Sequence, residues 1–239
     1  MFLNSMIGAN EFMQSFFPDE LLALVNEQRE LVAGALLAAV LIGLWVTGRL
    51  RKRRRTHVIL AALQGSTRGR VVPFRGPSAW GFTATVTPAP EPFREFSVSY
   101  RPMSIFDPAD LARRLAGRPP GLLHIWALLP EPPSAEIIWI RGQAPARAVG
   151  REPGRGLWIH HRLDIRATEY ATRGANTAAL CHVFLDMQAR FGPLLQRVII
   201  QREGAPQVEV VLATAALDTR DIPALLTTLR AAGRAALLR

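Results

Sequence analysis

Residues 31–48 read LVAGALLAAVLIGLWVTG and run directly into residues 49–55, RLRKRRR. The first stretch contains no charged residue, and Thr47 is its only hydroxyl-bearing side chain. Eighteen residues in a helix cover about 27 Å, close to the thickness of the hydrocarbon core of a bilayer. The buried helix of a soluble protein rarely stays this apolar over such a length. We therefore expect residues 31–48 to form a single transmembrane helix.

A cleaved signal peptide is the main alternative, and the order of the charges argues against it. Such a peptide carries basic residues before its apolar run and a small-residue cleavage site after it. Here residues 1–30 contain five acidic residues and one arginine, whereas residues 49–55 contain six basic residues. The positive-inside rule then predicts a short acidic extracytoplasmic segment at residues 1–30 and a cytoplasmic location for everything after the span, at the cell membrane.

The basic run also predicts a contact with anionic lipid headgroups. A Lys or Arg close to such a surface contributes ~1 kcal/mol to the attraction. The arginines outside this run are spread evenly, which favours a GC-rich coding sequence over selection for phosphate or carboxylate contacts, so only the run is dense enough to act by charge alone. The residues expected to set topology and meet lipid are Arg49, Arg51, Lys52 (the only lysine in the chain), Arg53, Arg54 and Arg55.

Small residues recur within the apolar stretch. Ala35, Ala39 and Gly43 are spaced by four and share one side of a helix. Small side chains at this spacing let two helices approach closely in lipid. The stripe predicts either a homo-oligomer or a membrane-protein partner.

The remaining chain predicts an α+β domain. We expect a basic juxtamembrane segment and linker at residues 49–77, followed by a cytoplasmic antiparallel β-sheet domain at residues 78–239 with about three helices. Apolar and polar residues alternate in most of the expected strands. The order strand, strand, helix repeats three times with one extra strand, and the adjacent strands of each repeat are expected to pair with each other in antiparallel fashion. Expected strands are 82–87, 95–100, 122–129, 136–141, 157–166, 197–202 and 207–212, and the helices begin near Asp107, Asn176 and Asp221.

The sequence around His160 contains the densest group of polar residues with possible chemistry. In a strand, neighbouring side chains point to opposite faces, so His160 and His161 cannot both bind one metal ion. His161 falls on the apolar face, and His160, Arg162 and Asp164 fall on the other. These three residues are the candidate site of an enzyme, and we expect neither a metal nor a cofactor there.

The single cysteine excludes an intrachain disulfide and a cysteine-based zinc site. In the helix expected after Asn176, an apolar stripe leaves Cys181 at the flank of the core as a small apolar residue. The stripe consists of Leu180, Phe184, Met187 and Phe191.

Two function classes stay open at this stage. The leading hypothesis is a membrane-anchored, non-enzymatic cytoplasmic domain that binds a protein partner at the membrane. The alternative is a membrane-bound enzyme that uses the polar residues around His160 and Asp164. Nucleic-acid binding is disfavoured, because the arginines of the domain are scattered and no recognition motif is present.

Overall fold

A computed structural model describes residues 29–104, 106–117, 121–144, 158–163 and 168–238. The chain divides into two units, Met1–Thr47 and Gly48–Arg239. Helix α1 (Arg29–Ser66) begins in the first unit and continues into the second. The expected segment at residues 1–30 lies almost entirely outside the described residues.

The first unit is described as an apolar helix. Nine of its large apolar side chains between Leu31 and Val46 are 42–69% exposed. Thr47 donates its hydroxyl hydrogen to the carbonyl of Gly43 (2.8 Å), which satisfies the one hydroxyl of this segment within the helix. Among the described residues, α1 is the one helix that is long and apolar enough to cross a membrane by length and composition.

In its described residues, the second unit forms a nine-stranded, wholly antiparallel sheet with helices, so the α+β class is confirmed. The strand order is β1-β2-β3-β4-β9-β8-β5-β7-β6. The strands are β1 (Arg70–Ser78), β2 (Gly81–Thr87), β3 (Glu95–Arg101), β4 (Leu122–Leu128), β5 (Ala135–Ile140), β6 (Ile159–Leu163), β7 (Thr168–Gly174), β8 (Leu195–Ile200) and β9 (Val208–Ala213). The other helices within the described part of the chain are α2 (Pro108–Leu115), α3 (Thr177–Phe191) and α4 (Asp221–Leu237).

The elements predicted from local patterns are confirmed. β2 and β3 pair with Phe82 opposite Tyr100, and β8 and β9 pair around the turn that contains Gly204. The predicted stripe of α3, from Leu180 to Phe191, is the buried face of that helix. Strand and helix periodicities therefore identified the faces that form the core.

The predicted pairing of β4 with β5 is wrong. β4 pairs with β3 and β9, whereas β5 pairs with β7 and β8. The link between β4 and β5 contains three prolines, which cannot donate to a ladder. Ser134 then donates both its backbone N–H (2.8 Å) and its hydroxyl hydrogen (3.0 Å) to the carbonyl of Ala236, which fixes the start of β5 at the end of α4.

The strand-strand-helix order does not repeat three times either. The structure contains β7, which the sequence analysis missed because TEYATRG shows little apolar alternation. Where a linker was expected, residues 49–66 continue α1 and residues 70–78 form the edge strand β1. Ile59 and Leu63 of α1 are each 1% exposed and belong to the same core as the sheet and α4. This part of α1 is therefore an integral helix of the second unit.

Candidate functional site

The basic run lies on α1, and the helix distributes its side chains in different directions. Lys52, Thr56, Ile59 and Leu63 follow i, i+4, i+7, i+11 and are all buried. Arg49, Arg51, Arg53 and Arg54 are exposed, and Arg55 is half-buried. The six basic residues are therefore not equivalent, and Lys52 occupies a core-facing position.

Lys52 is held by two carboxylates. Its Nζ lies 2.5 Å from Asp107 Oδ2 and 2.6 Å from Asp110 Oδ2, and its side chain is 4% exposed. Both acids lie at the start of α2, where the helix dipole also favours negative charge. Asp110 Oδ2 accepts a further hydrogen bond from the backbone N–H of Ser104 (2.9 Å). A buried ammonium group needs such partners, because its desolvation is otherwise costly.

Aromatic rings flank the same turn of α1. The Arg49 guanidinium lies 5.6 Å from the ring centroid of Trp80, and Lys52 Nζ lies 5.9 Å from it. The Arg51 guanidinium lies 5.0 Å from the Phe106 ring. These separations suit cation–π attraction. Trp80 is nevertheless 66% exposed, which is unusual for an indole that touches a folded domain.

Arg55 connects α1 to the segment between β9 and α4. Its Nη2 donates to the carbonyl oxygens of Thr214 (2.7 Å) and Leu217 (2.9 Å). Tyr100, on the neighbouring strand β3, is neutral at physiological pH, because burial raises the pKa of its hydroxyl to about 12 while the charge of Arg55 lowers it.

A cavity of about 230 Å³ opens beside these residues. Two arginines and one serine contribute to its lining, and arginine side chains can bind phosphate oxygens in a forked geometry. The lining residues are Arg51, Arg55, Met103, Ser104, Phe106 and Ala215.

A second, larger cleft of about 410 Å³ lies at the other end of β2. Arg68, Arg230 and Arg234 line it together with one acid, Glu91. Arg230 and Arg234 are one turn apart on α4, so like charges accumulate on this helix face. The cleft is thus a basic surface suited to carboxylates or other anions.

Of the three residues predicted as a candidate enzyme site, the structure describes His160 and Arg162. His160 and Arg162 are exposed on β6, the edge strand, and Asp164 lies outside the described residues. His161 faces inward as predicted: its Nε2 is 2.8 Å from Thr172 Oγ1, and its ring stacks on Tyr170 at 4.7 Å. In the part of the chain that is described, no group of three His, Cys, Asp or Glu residues could hold a metal ion.

Cys181 packs at the flank of the core, as predicted. Burial raises the pKa of its thiol, and a hydrogen bond with Tyr170 only partly offsets this. Burial, with Cys181 as a neighbour, raises the pKa of Tyr170 to about 12. A protonated thiol is a poor nucleophile, and these shifts fit the packing of Cys181 against the core.

The small residues Ala35, Ala39 and Gly43 lie exposed on α1. A Cβ added at Gly43 would meet no atom within 4 Å, so this side of the helix is open to a neighbour. The sequence matches no protein-family model, and no curated protein is significantly similar to it. The geometry of the helix, its basic turns and the two cavities is therefore the basis for assigning a function.

Proposed function

We propose that this chain is a single-pass membrane protein in which residues 31–48 cross the cell membrane and the unit Gly48–Arg239 lies in the cytoplasm. The observation that carries the proposal is the run of exposed apolar side chains on α1 between Leu31 and Val46. Burying one such side chain away from water is worth roughly 1.5–3 kcal/mol, so nine of them strongly favour an apolar environment. A bilayer supplies that environment along the whole run.

The exposed basic residues support the orientation. At 1.5 Å per residue, Arg49 and Arg51 follow Gly48 by about 1.5 and 4.5 Å, within a headgroup layer roughly 5–7 Å thick. Arg53 and Arg54, about 7.5 and 9 Å from Gly48, then lie just beyond it. The exposed side chains of Arg51, Arg53 and Arg54 suit anionic lipid phosphates, whereas Lys52 is already neutralised by Asp107 and Asp110, and Arg55 donates to backbone carbonyls.

We further propose that the cytoplasmic domain is a non-enzymatic module that binds a protein partner at the membrane. The cleft formed by Arg68, Arg230 and Arg234 suits an acidic segment of such a partner. The Ala35, Ala39 and Gly43 stripe suits a membrane-protein partner or a second copy of the chain within the bilayer. An enzyme site at His160, Arg162 and Asp164 is not proposed, because its two described members lie exposed on an edge strand. Nucleic-acid binding is not proposed either.

Membrane insertion and orientation are tested on the full-length protein in its native membrane. We expect the protein to resist extraction at alkaline pH, and the domain to survive protease added to intact cells but to be digested in inverted vesicles. Release at alkaline pH would disprove the span. Digestion of the domain from outside intact cells would disprove the orientation.

The partner is tested by photo-crosslinking from the basic cleft. A crosslinking residue at Arg234 should give a discrete protein adduct, and the same residue at the exposed His182 on α3 serves as the matched control. The adduct should disappear when Arg68 and Arg230 are replaced by Glu. Equal adducts from both positions would contradict binding at the cleft.

A further inference from the structure

The turn between β1 and β2 presents Trp80 to the outside of the domain in an ordered way. The backbone N–H of Trp80 donates to Ser78 Oγ (3.1 Å), and the Ser78 hydroxyl donates to the carbonyl of Gly81 (3.2 Å). Gly81 has φ +109°, and a Cβ there would lie 1.8 Å from the carbonyl oxygen of Tyr100. Only glycine fits this position. The indole is therefore held outward by a defined turn, 66% exposed.

The position of this indole is fixed relative to the basic turn of α1. Arg49 and Lys52 both lie within 6 Å of its ring centroid, and Lys52 is held in turn by Asp107 and Asp110. Arg49 directly follows Gly48, the last residue of the uncharged run, along a continuous helix. If residues 31–48 cross the bilayer, a ring beside Arg49 lies at the depth of the lipid headgroups.

We propose that the tip of the β1–β2 hairpin is a second membrane contact, with the Trp80 indole inserted among the headgroups of the cytoplasmic leaflet. This inference rests on the proposed membrane span. Tryptophan is enriched at that depth because its ring is apolar while its N–H remains able to donate a hydrogen bond. The guanidinium of Arg49 beside the ring is complementary to the lipid phosphates.

The ligand of this surface is phospholipid, for two reasons, continuity and charge. The surface is continuous with the proposed span through Arg49, and its neighbouring charge is positive while the cytoplasmic leaflet is negative. The cleft lined by Arg68 lies at the other end of β2, seven strand residues or about 23 Å from the hairpin tip. We expect no lipid contact there. The hairpin thus gives the unit Gly48–Arg239 two attachments to the bilayer surface.

The test uses the full-length protein in vesicles of phosphatidylcholine and phosphatidylserine whose acyl chains carry bromine, a quencher of indole fluorescence. The protein has five tryptophans, and Trp45 lies in the apolar run, so Trp45→Phe is the working background. The matched variant adds Trp80→Phe at an exposed position, and both should melt at the same temperature. Trp126, Trp139 and Trp158 remain in both proteins and cancel in the comparison.

Four indoles remain in the Trp45→Phe protein. Bromine near the headgroups should quench the share of the total emission that comes from one of them, Trp80. Deep bromine should quench that share less, and the share should be absent after Trp80→Phe. Identical quenching of the two proteins would overturn the proposal. Protection of Trp80 from aqueous acrylamide without quenching by bromine would also overturn it and would indicate a second copy of the chain on the hairpin.

A further comparison tests the membrane span independently of the hairpin contact. Wild-type protein differs from the Trp45→Phe protein by the one indole within the apolar run. Trp45 lies three residues from Gly48, so bromine in the upper part of the acyl region should quench that difference if residues 31–48 span the bilayer. No quenching of Trp45 would contradict the span itself, whereas quenching of Trp45 without quenching of Trp80 would contradict only the hairpin contact.

Discussion

The ammonium nitrogen of Lys52 lies 2.6 Å from a carboxylate oxygen of Asp110, and their side chains are 4% and 3% exposed. Asp107 approaches the same nitrogen from the preceding turn of the chain. A buried ion pair adds little net stability compared with apolar residues of the same shape, but removing one partner leaves charge in a poorly solvated place. The attachment of α1 to α2 therefore depends on one residue, Lys52, which contacts both acids.

Replacing Lys52 by Met should lower the free energy of unfolding of the second unit by about 3–5 kcal/mol, because two carboxylates lose their buried counter-charge. Arg53→Met is the matched control: it removes the same charge from the next, exposed position and should change stability by less than about 0.5 kcal/mol. Denaturant unfolding of the full-length protein in detergent measures both. Adding Asp110→Asn to Lys52→Met should recover part of the loss, and equal effects of the two single changes would refute the burial of Lys52.

The orientation of the protein should depend on the exposed arginines alone. Replacing Arg49, Arg51, Arg53 and Arg54 by Gln, with Lys52 and Arg55 kept, should produce a mixed orientation while the apolar run still inserts. Protease accessibility of the domain in inverted vesicles measures the fraction in each orientation. The control variant has the same loss of charge at positions far from the span in sequence. It replaces Arg94, Arg114, Arg220 and Arg234 by Gln and should keep the wild-type orientation. A uniform orientation of the first variant would show that these four arginines do not set topology.

Sequence patterns identified the elements whose evidence is local. The stripe of α3 repeats within fifteen residues, and the β8–β9 hairpin closes over a short turn, so both could be predicted. The partners of β4 and β5 could not be predicted in this way. Strands that are adjacent in sequence usually pair with each other, whereas β4 pairs with β9 and β5 pairs with β8, both far along the chain. β7 carries Thr, Glu and Arg where an alternating strand would carry apolar residues.

The candidate site shows the same limit. Lys52, Thr56, Ile59 and Leu63 do follow a helical core spacing, but Lys52 sits in a run of like charges, where a charged residue is expected to face solvent. Its partner Asp107 is 55 residues away in sequence. The sequence nevertheless contained a signal, because Lys52 is the one lysine in a chain that otherwise uses arginine. Its compact ammonium group fits between two carboxylates, where the planar guanidinium of arginine would need more room.

Stability at acid pH should depend on Glu209. Its carboxylate lies 3.0 Å from His124 Nε2 and 3.1 Å from Arg197 Nη1. His124 lowers the pKa of Glu209 most, partial burial raises it, and Arg197 lowers it further, with a net decrease from the ordinary 4.5. A depressed carboxyl pKa contributes stability above the unfolded-state pKa, and this contribution is lost as the pH falls through the folded-state pKa.

The Glu209→Gln variant should therefore be less stable than wild type above pH 4.5, and the difference should shrink as the pH falls below that value. Denaturant midpoints measured across this range give the two curves. His124→Phe should also make the stability depend less on pH in this range, because it removes the largest cause of the lowered Glu209 pKa. A difference between wild type and Glu209→Gln that is constant over the whole range would contradict this account.

The two neighbouring histidines should differ in what they contribute, because the strand turns their side chains to opposite faces. His161 stacks on Tyr170 and lies 2.8 Å from Thr172 Oγ1, whereas His160 is exposed. His161→Ala should lower the free energy of unfolding by ~1–3 kcal/mol through lost packing and a lost hydrogen bond. His160→Ala, the matched control, should stay within about 0.5 kcal/mol of wild type. Equal losses would contradict the strand alternation, and stoichiometric zinc or iron that is released only when both are replaced would revive the enzyme hypothesis.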